Sequence, residues 1–293
     1  MEKISTSLPF YIRLPDDTYK FHFEGEAIEF LVTKETIQPS MRTGSRSADT
    51  HFHGDRRGID EYSVISYETE RQFSSIDEAK SFTVKLVNRV LDVYRYIDQA
   101  THLMPITATD FHEFNLLKDG RLSETAITFG PGGLVLNDGG LINEIGSLVK
   151  RALEERIEVP FFENILLNAH HYHLTGEYRM SVLEAVIALE IIVYQFIREF
   201  APKSGKSQKQ IDGWIEGRGR ESGLRYCVET VLNMLLPFDV RVSSDLISRC
   251  GNTVTLRNKV VHRGKKDVTE VEATSAITFS LEIIRHLNRF ISS

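Results

Sequence analysis

Apolar and polar residues alternate over parts of the first half of the chain, a pattern typical of strands with one buried face. The clearest example is Tyr-Lys-Phe-His-Phe-Glu at 19–24. With two further candidates, residues 1–75 contain three predicted strands, at 19–24, 27–33 and 62–69. Between the last two, residues 39–58 are rich in Ser, Thr, Gly, Arg and His, and this composition predicts a long mobile loop.

The spacing of apolar residues becomes helical after Ser75, which is a suitable N-cap for a helix over 76–99. Strands return over 104–130, where 111–116 and 126–129 flank a turn at 118–120. The Gly- and Pro-rich segment 130–140 then predicts a domain boundary. We therefore expect residues 1–140 to form an α+β domain, with a mostly antiparallel sheet and one long helix.

Helical spacing dominates the chain after residue 140. Gly176 is expected just past one helix end, and Pro202 is expected to stop the next helix. The polar connection 202–223 has room for a short helix around Trp214. The other predicted helices are 141–157, 161–174, 178–200, 224–236, 243–263 and 268–290. Long helices with short joins predict an all-α, up-and-down bundle over residues 141–293.

The overall composition is that of a folded globular chain, with 41% hydrophobic and 26% charged residues in a total of 293. No run approaches the length of a transmembrane helix, and the start of the chain lacks the apolar core of a signal peptide, so no membrane partner is expected. Cys227 and Cys250 lie in apolar helical patterns and are expected to be reduced, buried thiols. These features predict a cytoplasmic protein. The net charge of −6 means that any nucleic-acid contact must be focal.

One stretch reverses this acidic balance, because residues 257–266 contain five cations and one His but no acid. In the predicted helix, Arg257 falls within the apolar face, and Asn258 and His262 lie one turn apart on its flank. An arginine on an inner face is unfavourable unless it has a partner or lines a cleft. The helix is therefore predicted to direct a guanidinium, an amide and an imidazole towards one place.

These residues resemble a known family. Arg257-Asn258-x-x-x-His262, followed by Arg263-Gly264, is similar to the R-x4-6-H motif of HEPN domains. Upstream, the pattern LLNAxxYxxxGEYRxSVxxAxxALE at 166–190 resembles the first helix pair of the same domains, particularly the ApeA-like group. The two patterns occur in the expected order, about 80 residues apart, and the resemblance covers roughly 160–293. It implies a HEPN-type helical bundle after the α+β domain.

The resemblance implies a metal-independent endoribonuclease that needs no cofactor. In such enzymes the ribose 2′-OH attacks the adjacent phosphate and leaves a 2′,3′-cyclic phosphate and a 5′-OH. His262 suits proton transfer near neutral pH, and Arg257 suits the charge that builds on the phosphate oxygens. Asn258 would orient His262 or bind the phosphate. The resemblance also implies a homodimer in which two motifs meet, and a toxin or anti-phage (abortive infection) role.

The partner expected from this chemistry is RNA, with tRNA as the first candidate, and the N-terminal domain would receive a regulatory or trigger partner. Glu190, Lys259 and Arg263 are assigned supporting or RNA-binding roles. Glu190 lies at the edge of its apolar stripe, and two interpretations remain open: it pairs with Arg257, or it is a solvated carboxylate.

An alternative interpretation makes the bundle a non-catalytic HEPN dimerisation module or a nucleotide- or RNA-binding module. In that case Arg257 bridges within the bundle, and His262 is a helix-end residue whose position the helix dipole favours. No metal site is expected. His51, His53 and Asp55 lack further ligands, and His170 and His173 share a helix face without a carboxylate or Cys to complete a site.

Overall fold

The computed structural model describes residues 1–8, 10, 12, 14–36, 61–101, 103–111, 113–127, 142–217 and 223–291. The chain divides into two compact units, Met1–Val159 and Pro160–Ser293. The predicted loop at 39–58, with His51, His53 and Asp55, and the predicted boundary segment 130–140 lie outside the described residues.

The described residues of the first unit form a six-stranded antiparallel sheet and two helices. The strands are β1 (Glu2–Ser7), β2 (Asp17–Phe23), β3 (Glu26–Thr36), β4 (Glu61–Thr69), β5 (Glu113–Lys118) and β6 (Arg121–Ile127), in the order β2-β3-β4-β1-β5-β6. The helices are α1 (Ile76–Asp98) and α2 (Ile142–Glu154). The mostly antiparallel α+β prediction for this part of the chain is therefore confirmed.

One face of the sheet builds the core, as the alternating pattern predicted. Tyr19 and Phe21 of β2 are buried, while Lys20 and His22 between them are exposed. Helix α1 covers this face, and the Tyr67 hydroxyl of β4 is 2.7 Å from the Thr83 hydroxyl of α1. The predicted cap of α1 is also present, because the Ser75 side chain accepts a hydrogen bond from the backbone of Glu78.

The predicted hairpin is shifted along the chain. Strand β5 ends at Lys118 and β6 begins at Arg121, so these two residues pair directly across the turn. Asp119 and Gly120 have φ values of 50° and 74°, the left-handed backbone that a tight two-residue hairpin turn requires. The predicted strands, 111–116 and 126–129, were separated by a longer connection than the structure has. The observed strands continue up to the two-residue turn.

Helix α2 corrects the predicted domain boundary of 140/141. Its buried residues Ile145, Val149 and Leu153 belong to the hydrophobic core of the sheet, not to the helical bundle. Gly146 permits a close approach, because a Cβ added there would lie 2.4 Å from Cδ of Pro15. An amphipathic pattern shows that a helix has an apolar face, but it does not show which core covers that face. The division therefore falls at 159/160.

The described part of the second unit is helical. Its main helices are α3 (Phe161–Leu174), α4 (Tyr178–Lys203), α5 (Gln208–Glu216), α8 (Ser244–Arg263) and α9 (Glu270–Ile291). A shorter segment joins α5 to α8 and consists of α6 (Gly223–Tyr226), a π-helical turn (Cys227–Val231), α7 (Leu232–Leu235) and a 3-10 turn (Phe238–Val240). The short helix predicted around Trp214 is α5.

The four long helices run alternately up and down. Cross-helix pairs fix the directions, namely His173–Thr274 and Glu163–Asn288 for α3 and α9, and Lys265–Glu272 and Arg249–Glu282 for α8 and α9. Helix α9 is therefore antiparallel to both α3 and α8. The chain reverses direction between α3 and α4 through residues 175–177. Helices α4 and α9 therefore point the same way, in agreement with the predicted up-and-down bundle.

Helix α4 lies at the centre of this bundle. Among the described residues, it is the one helix with the length and apolar composition to cross a membrane, and 56% of its most apolar window is buried within the protein. Pro202 lies in its last turn, so α4 ends one residue after Pro202 and not before it as predicted. The free carbonyls of this turn accept hydrogen bonds from Ser204, Gly205 and Lys206.

Both cysteines are free and buried in this unit, as predicted. Burial raises the pKa of the Cys227 thiol and the Cys250 thiol to about 12. Both therefore stay protonated near neutral pH.

Candidate functional site

Helix α8 carries the three predicted catalytic residues, and its two ends are well defined. The Ser243 side chain accepts a hydrogen bond from the backbone of Leu246 at the first turn. Gly264 ends the helix with a left-handed backbone, φ 62°. Between these caps, Cys250, Thr253 and Val260 are buried and face the bundle. Because these residues are buried, the rotation of α8 about its own axis is fixed. That rotation determines the directions in which its polar side chains project.

Arg257 lies at the edge of this buried face and is 30% exposed. Its Nη2 is 3.9 Å from Oε1 of Glu190 on α4, and Glu190 is 27% exposed. Its Nη1 donates a hydrogen bond of 3.2 Å to Oδ1 of Asn258. Of the two interpretations of Glu190, the structure therefore favours the one in which it faces Arg257 as an ion-pair partner.

His262 is exposed in the last turn of α8. Asn258 precedes it by four residues, so the two side chains are about 40° apart around the helix. The hydrogen bond from Arg257 to Asn258 turns the guanidinium towards the side of α8 from which His262 projects. Among the described residues, none forms a hydrogen bond or ion pair with His262. The arrangement leaves the imidazole accessible to a solvent-borne ligand.

Two side chains of α4 shape the electrostatics beside Arg257. Burial raises the pKa of the Glu190 carboxyl, and the charge of Arg257 offsets part of that rise. Burial also raises the pKa of the Tyr194 phenol, and the charge of Glu190 adds to the rise. Tyr194 therefore remains a neutral hydrogen-bond donor near physiological pH. Tyr194 was not predicted as a site residue, although its position four residues after Glu190 places it on the same helix face.

The remaining cations of the motif differ in their partners. Lys259 and Arg263 are exposed, and within the described chain neither has an ion-pair partner. Lys265, by contrast, pairs with Glu272 of α9. The free positive charge around His262 therefore comes from Lys259, Arg263 and the exposed Lys266. This places three cations at the negative end of the α8 dipole, where they are favoured in any helix.

These groups together have the capabilities that phosphate chemistry requires. The guanidinium of Arg257 binds and stabilises anionic oxygens, and the imidazole of His262 is suited to proton transfer near neutral pH. Asn258 lies between them and carries both a donor and an acceptor. The surrounding cations attract polyanions at low ionic strength.

The predicted histidines of α3 do not add to this group. His173 Nε2 is 2.8 Å from the Thr274 hydroxyl of α9, and burial lowers the pKa of His170. Within the described ranges, no three His, Cys, Asp or Glu side chains cluster as metal ligands would. The interhelical hydrogen bond of His173 gives that residue a structural role.

A cavity of about 450 Å³ lies on the first unit and contains none of the predicted site residues. Its lining comes from β1 to β4 and the residues next to them, and includes the exposed side chains of Lys3, Glu29, Glu68 and Glu70. Open faces of this kind are usual for antiparallel sheets that are covered on one side.

Comparisons of the chain with protein-family models, with curated proteins and with solved structures found no match. The resemblance to HEPN domains therefore rests on the motif residues themselves.

Proposed function

We propose that the second unit is a metal-independent endoribonuclease of HEPN type. The observation that supports this most directly is the exposure of Asn258 and His262 on one side of α8, with Arg257 at the edge of the buried face and hydrogen-bonded to Asn258. The guanidinium is turned by Asn258 towards the side from which the imidazole projects, as a shared phosphate ligand would require. Packing of Arg257 deep in the core, or burial of His262 against another helix, would have argued against this function.

In the proposed reaction, Arg257 holds the non-bridging oxygens of the scissile phosphate and stabilises the charge that develops on them. His262 transfers a proton, either from the attacking 2′-OH or to the departing 5′ oxygen. The P–O bond to the 5′ oxygen breaks as the bond from the 2′ oxygen forms. The products are a 2′,3′-cyclic phosphate and a 5′-OH, and RNA is required because DNA lacks the 2′-OH.

One chain supplies one His in the motif, whereas this reaction uses both an acid and a base. A homodimer in which two motifs meet provides the second imidazole. The outer face of α4 offers a surface for it, because Met180 and Ile187 are each 38% exposed and lie two turns apart on one side. Exposed apolar side chains that are neighbours on a helix can mark a contact surface. A second copy would cover the outer face of α4 next to Arg257.

For the whole protein, the function we propose is that of a cytoplasmic toxin or anti-phage effector that acts by abortive infection. RNA, with tRNA as the first candidate, is the substrate. The first unit has its own core and is the proposed receiver of the activating partner.

Purified protein is expected to cleave tRNA in the presence of EDTA, and His262→Ala is expected to lower the rate by about a hundredfold or more. His22→Ala is the matched control, because His22 is an exposed histidine of β2 in the other unit. It should leave the rate unchanged. Mapping the RNA ends for cyclic phosphate and 5′-OH tests the chemistry.

One observation favours a second candidate function. Arg257 has a carboxylate partner within its own chain, as a purely structural arginine would. A non-catalytic HEPN dimerisation or nucleotide- or RNA-binding module would share that feature. This function is supported if the wild type matches His262→Ala on every RNA tested, with phage lysate added, while ATP or a cyclic nucleotide still raises the melting temperature.

A further inference from the structure

Helix α4 carries a row of three polar side chains beside the proposed site. Glu190, Tyr194 and Arg198 are spaced four residues apart, so they lie one above another on the same face. We call these three residues the α4 row. Glu190 faces Arg257 across the two helices, so the row starts at the proposed catalytic arginine.

Tyr194 occupies the middle of the row. Its ring packs against the hydrophobic core of the bundle, while its side chain stays partly exposed. Burial raises the pKa of its phenol, the charge of Glu190 adds to the rise, and the charges of Arg257 and Arg198 offset part of it. Within the described chain, no hydrogen bond occupies that hydroxyl. The phenol is therefore a neutral donor one helical turn from both Glu190 and Arg198.

Arg198 ends the row and is 53% exposed. Its Nη2 is 3.3 Å from Oε1 of Glu216 on α5, and that carboxylate is 67% exposed. Solvent-exposed ion pairs of this kind contribute little to stability. Exchanging this ion pair for a contact between the Arg198 guanidinium and a phosphate would therefore cost little stability. The row spans eight residues, which corresponds to about 12 Å along the helix axis.

We propose that the α4 row is a subsite for the nucleotide next to the reacting linkage, in which Arg198 binds its phosphate and the Tyr194 hydroxyl donates to its phosphate or ribose. The ligand class is single-stranded RNA, and the inference rests on the proposed function. Arg257 faces Glu190 at one end of the row, and Arg198 lies about 12 Å further along α4, so the row has the length for two successive phosphates of one strand.

The subsite is tested by the binding of a short 2′-O-methyl oligonucleotide, which cannot undergo the proposed reaction. Arg198→Ala is expected to weaken its binding about tenfold. Tyr194→Phe keeps the packed ring and removes only the hydroxyl, so it should fold and weaken binding about threefold. Arg179→Ala, an exposed arginine at the other end of α4, is the matched control and should have no effect.

Cleavage gives a second measurement. A dinucleoside monophosphate has only the scissile phosphate, so Arg198→Ala should lower kcat/KM on longer RNA about tenfold and on this short substrate by much less. If both variants bind the oligonucleotide within about twofold of wild type while Arg257→Ala weakens it, the subsite is wrong and the nuclease proposal stands. If both variants weaken binding but the wild type cleaves no RNA, the subsite stands and the nuclease proposal fails.

Discussion

Arg257 and Glu190 form a charge contact that joins α8 to α4. At 3.9 Å and with both side chains partly exposed, the pair contributes about 0–1 kcal/mol to stability. In the proposed nuclease its larger effect would be on function, because the carboxylate lies beside the guanidinium where a substrate phosphate would bind. We therefore expect Glu190 to hold Arg257 in place when RNA is absent and to compete with RNA for it.

Glu190→Gln removes this competing charge and keeps the shape of the side chain. We expect it to tighten the binding of a 2′-O-methyl RNA about two- to fivefold, measured by fluorescence anisotropy. Glu282→Gln is the control, because Glu282 also forms a cross-helix pair, with Arg249 at 2.6 Å on the α9 side of α8. Weaker binding by Glu190→Gln would show that the carboxylate positions Arg257 productively.

Glu184 is a second half-buried carboxylate of α4, and no described group forms a hydrogen bond with its Oε2. Burial raises its pKa above the ordinary value of 4.5. An acid with a raised folded-state pKa binds a proton more tightly when folded, so its ionisation lowers stability as the pH rises through the raised value.

Glu184→Gln should therefore raise the melting temperature by about 2 °C near pH 7.5, and the gain should disappear as the pH approaches about 4.5. Glu199→Gln, an exposed acid of the same helix, should show no such gain. A gain of equal size at all pH values would mean that burial of charge is not its cause.

Helix α8 depends on its C-terminal cap to hold His262 in place. Gly264 adopts φ 62°, and the backbone N–H groups of Gly264 and Lys265 both donate to the carbonyl of Lys259. A Cβ added at Gly264 would contact nothing within 4 Å, so the cost of a substitution there is conformational alone.

Gly264→Ala should destabilise the protein by about 1 kcal/mol and fray the turn that carries His262. The free energy of unfolding is measured by chemical denaturation, and amide exchange at residues 260–263 reports the fraying. Gly213→Ala, in the middle of α5 with open space around it, should stabilise the protein slightly. Equal effects from both variants would exclude a special role for the left-handed cap.

At the scale of elements, spacing and caps in the sequence were enough to place most helices. The cap at Ser75 and the turn at Gly176 are local signals, and the structure contains both where they were predicted. The predicted end of α4 before Pro202 was wrong, because a proline in the last turn removes one hydrogen bond without ending the helix. The π-helical turn at Cys227–Val231 left no signal, because its apolar residues fit an ordinary helix equally well.

For the candidate site, the sequence predicted Arg257, Asn258 and His262, and of the α4 side chains beside them it singled out Glu190 alone. Contacts between helices depend on packing direction and rotation, which periodicity in one helix does not determine. Glu190 was open to two interpretations for this reason, and Tyr194 and Arg198 were not considered. The assignment of α2 to the wrong domain has the same physical origin.

At the scale of the whole molecule, the proposed dimer depends on the outer face of α4. Ile187→Glu places a charge in the middle of that face. We expect light scattering to show a monomer in place of a dimer. RNA cleavage should be lost, whereas RNA binding should be weaker than in the wild type but still measurable. Phe238→Glu is the control, because Phe238 is 83% exposed on the 3-10 turn before α8. A dimer that persists in Ile187→Glu would move the interface elsewhere.

The positions of the two cysteines give this protein an internal reporter. Both thiols lie in the bundle, and residues 1–159 contain no cysteine. Since burial keeps both thiols protonated and shielded, an alkylating reagent modifies them only when the bundle opens. The labelling rate of the unmodified protein therefore follows opening of the helical unit alone, and a candidate trigger that loosens this unit would raise that rate.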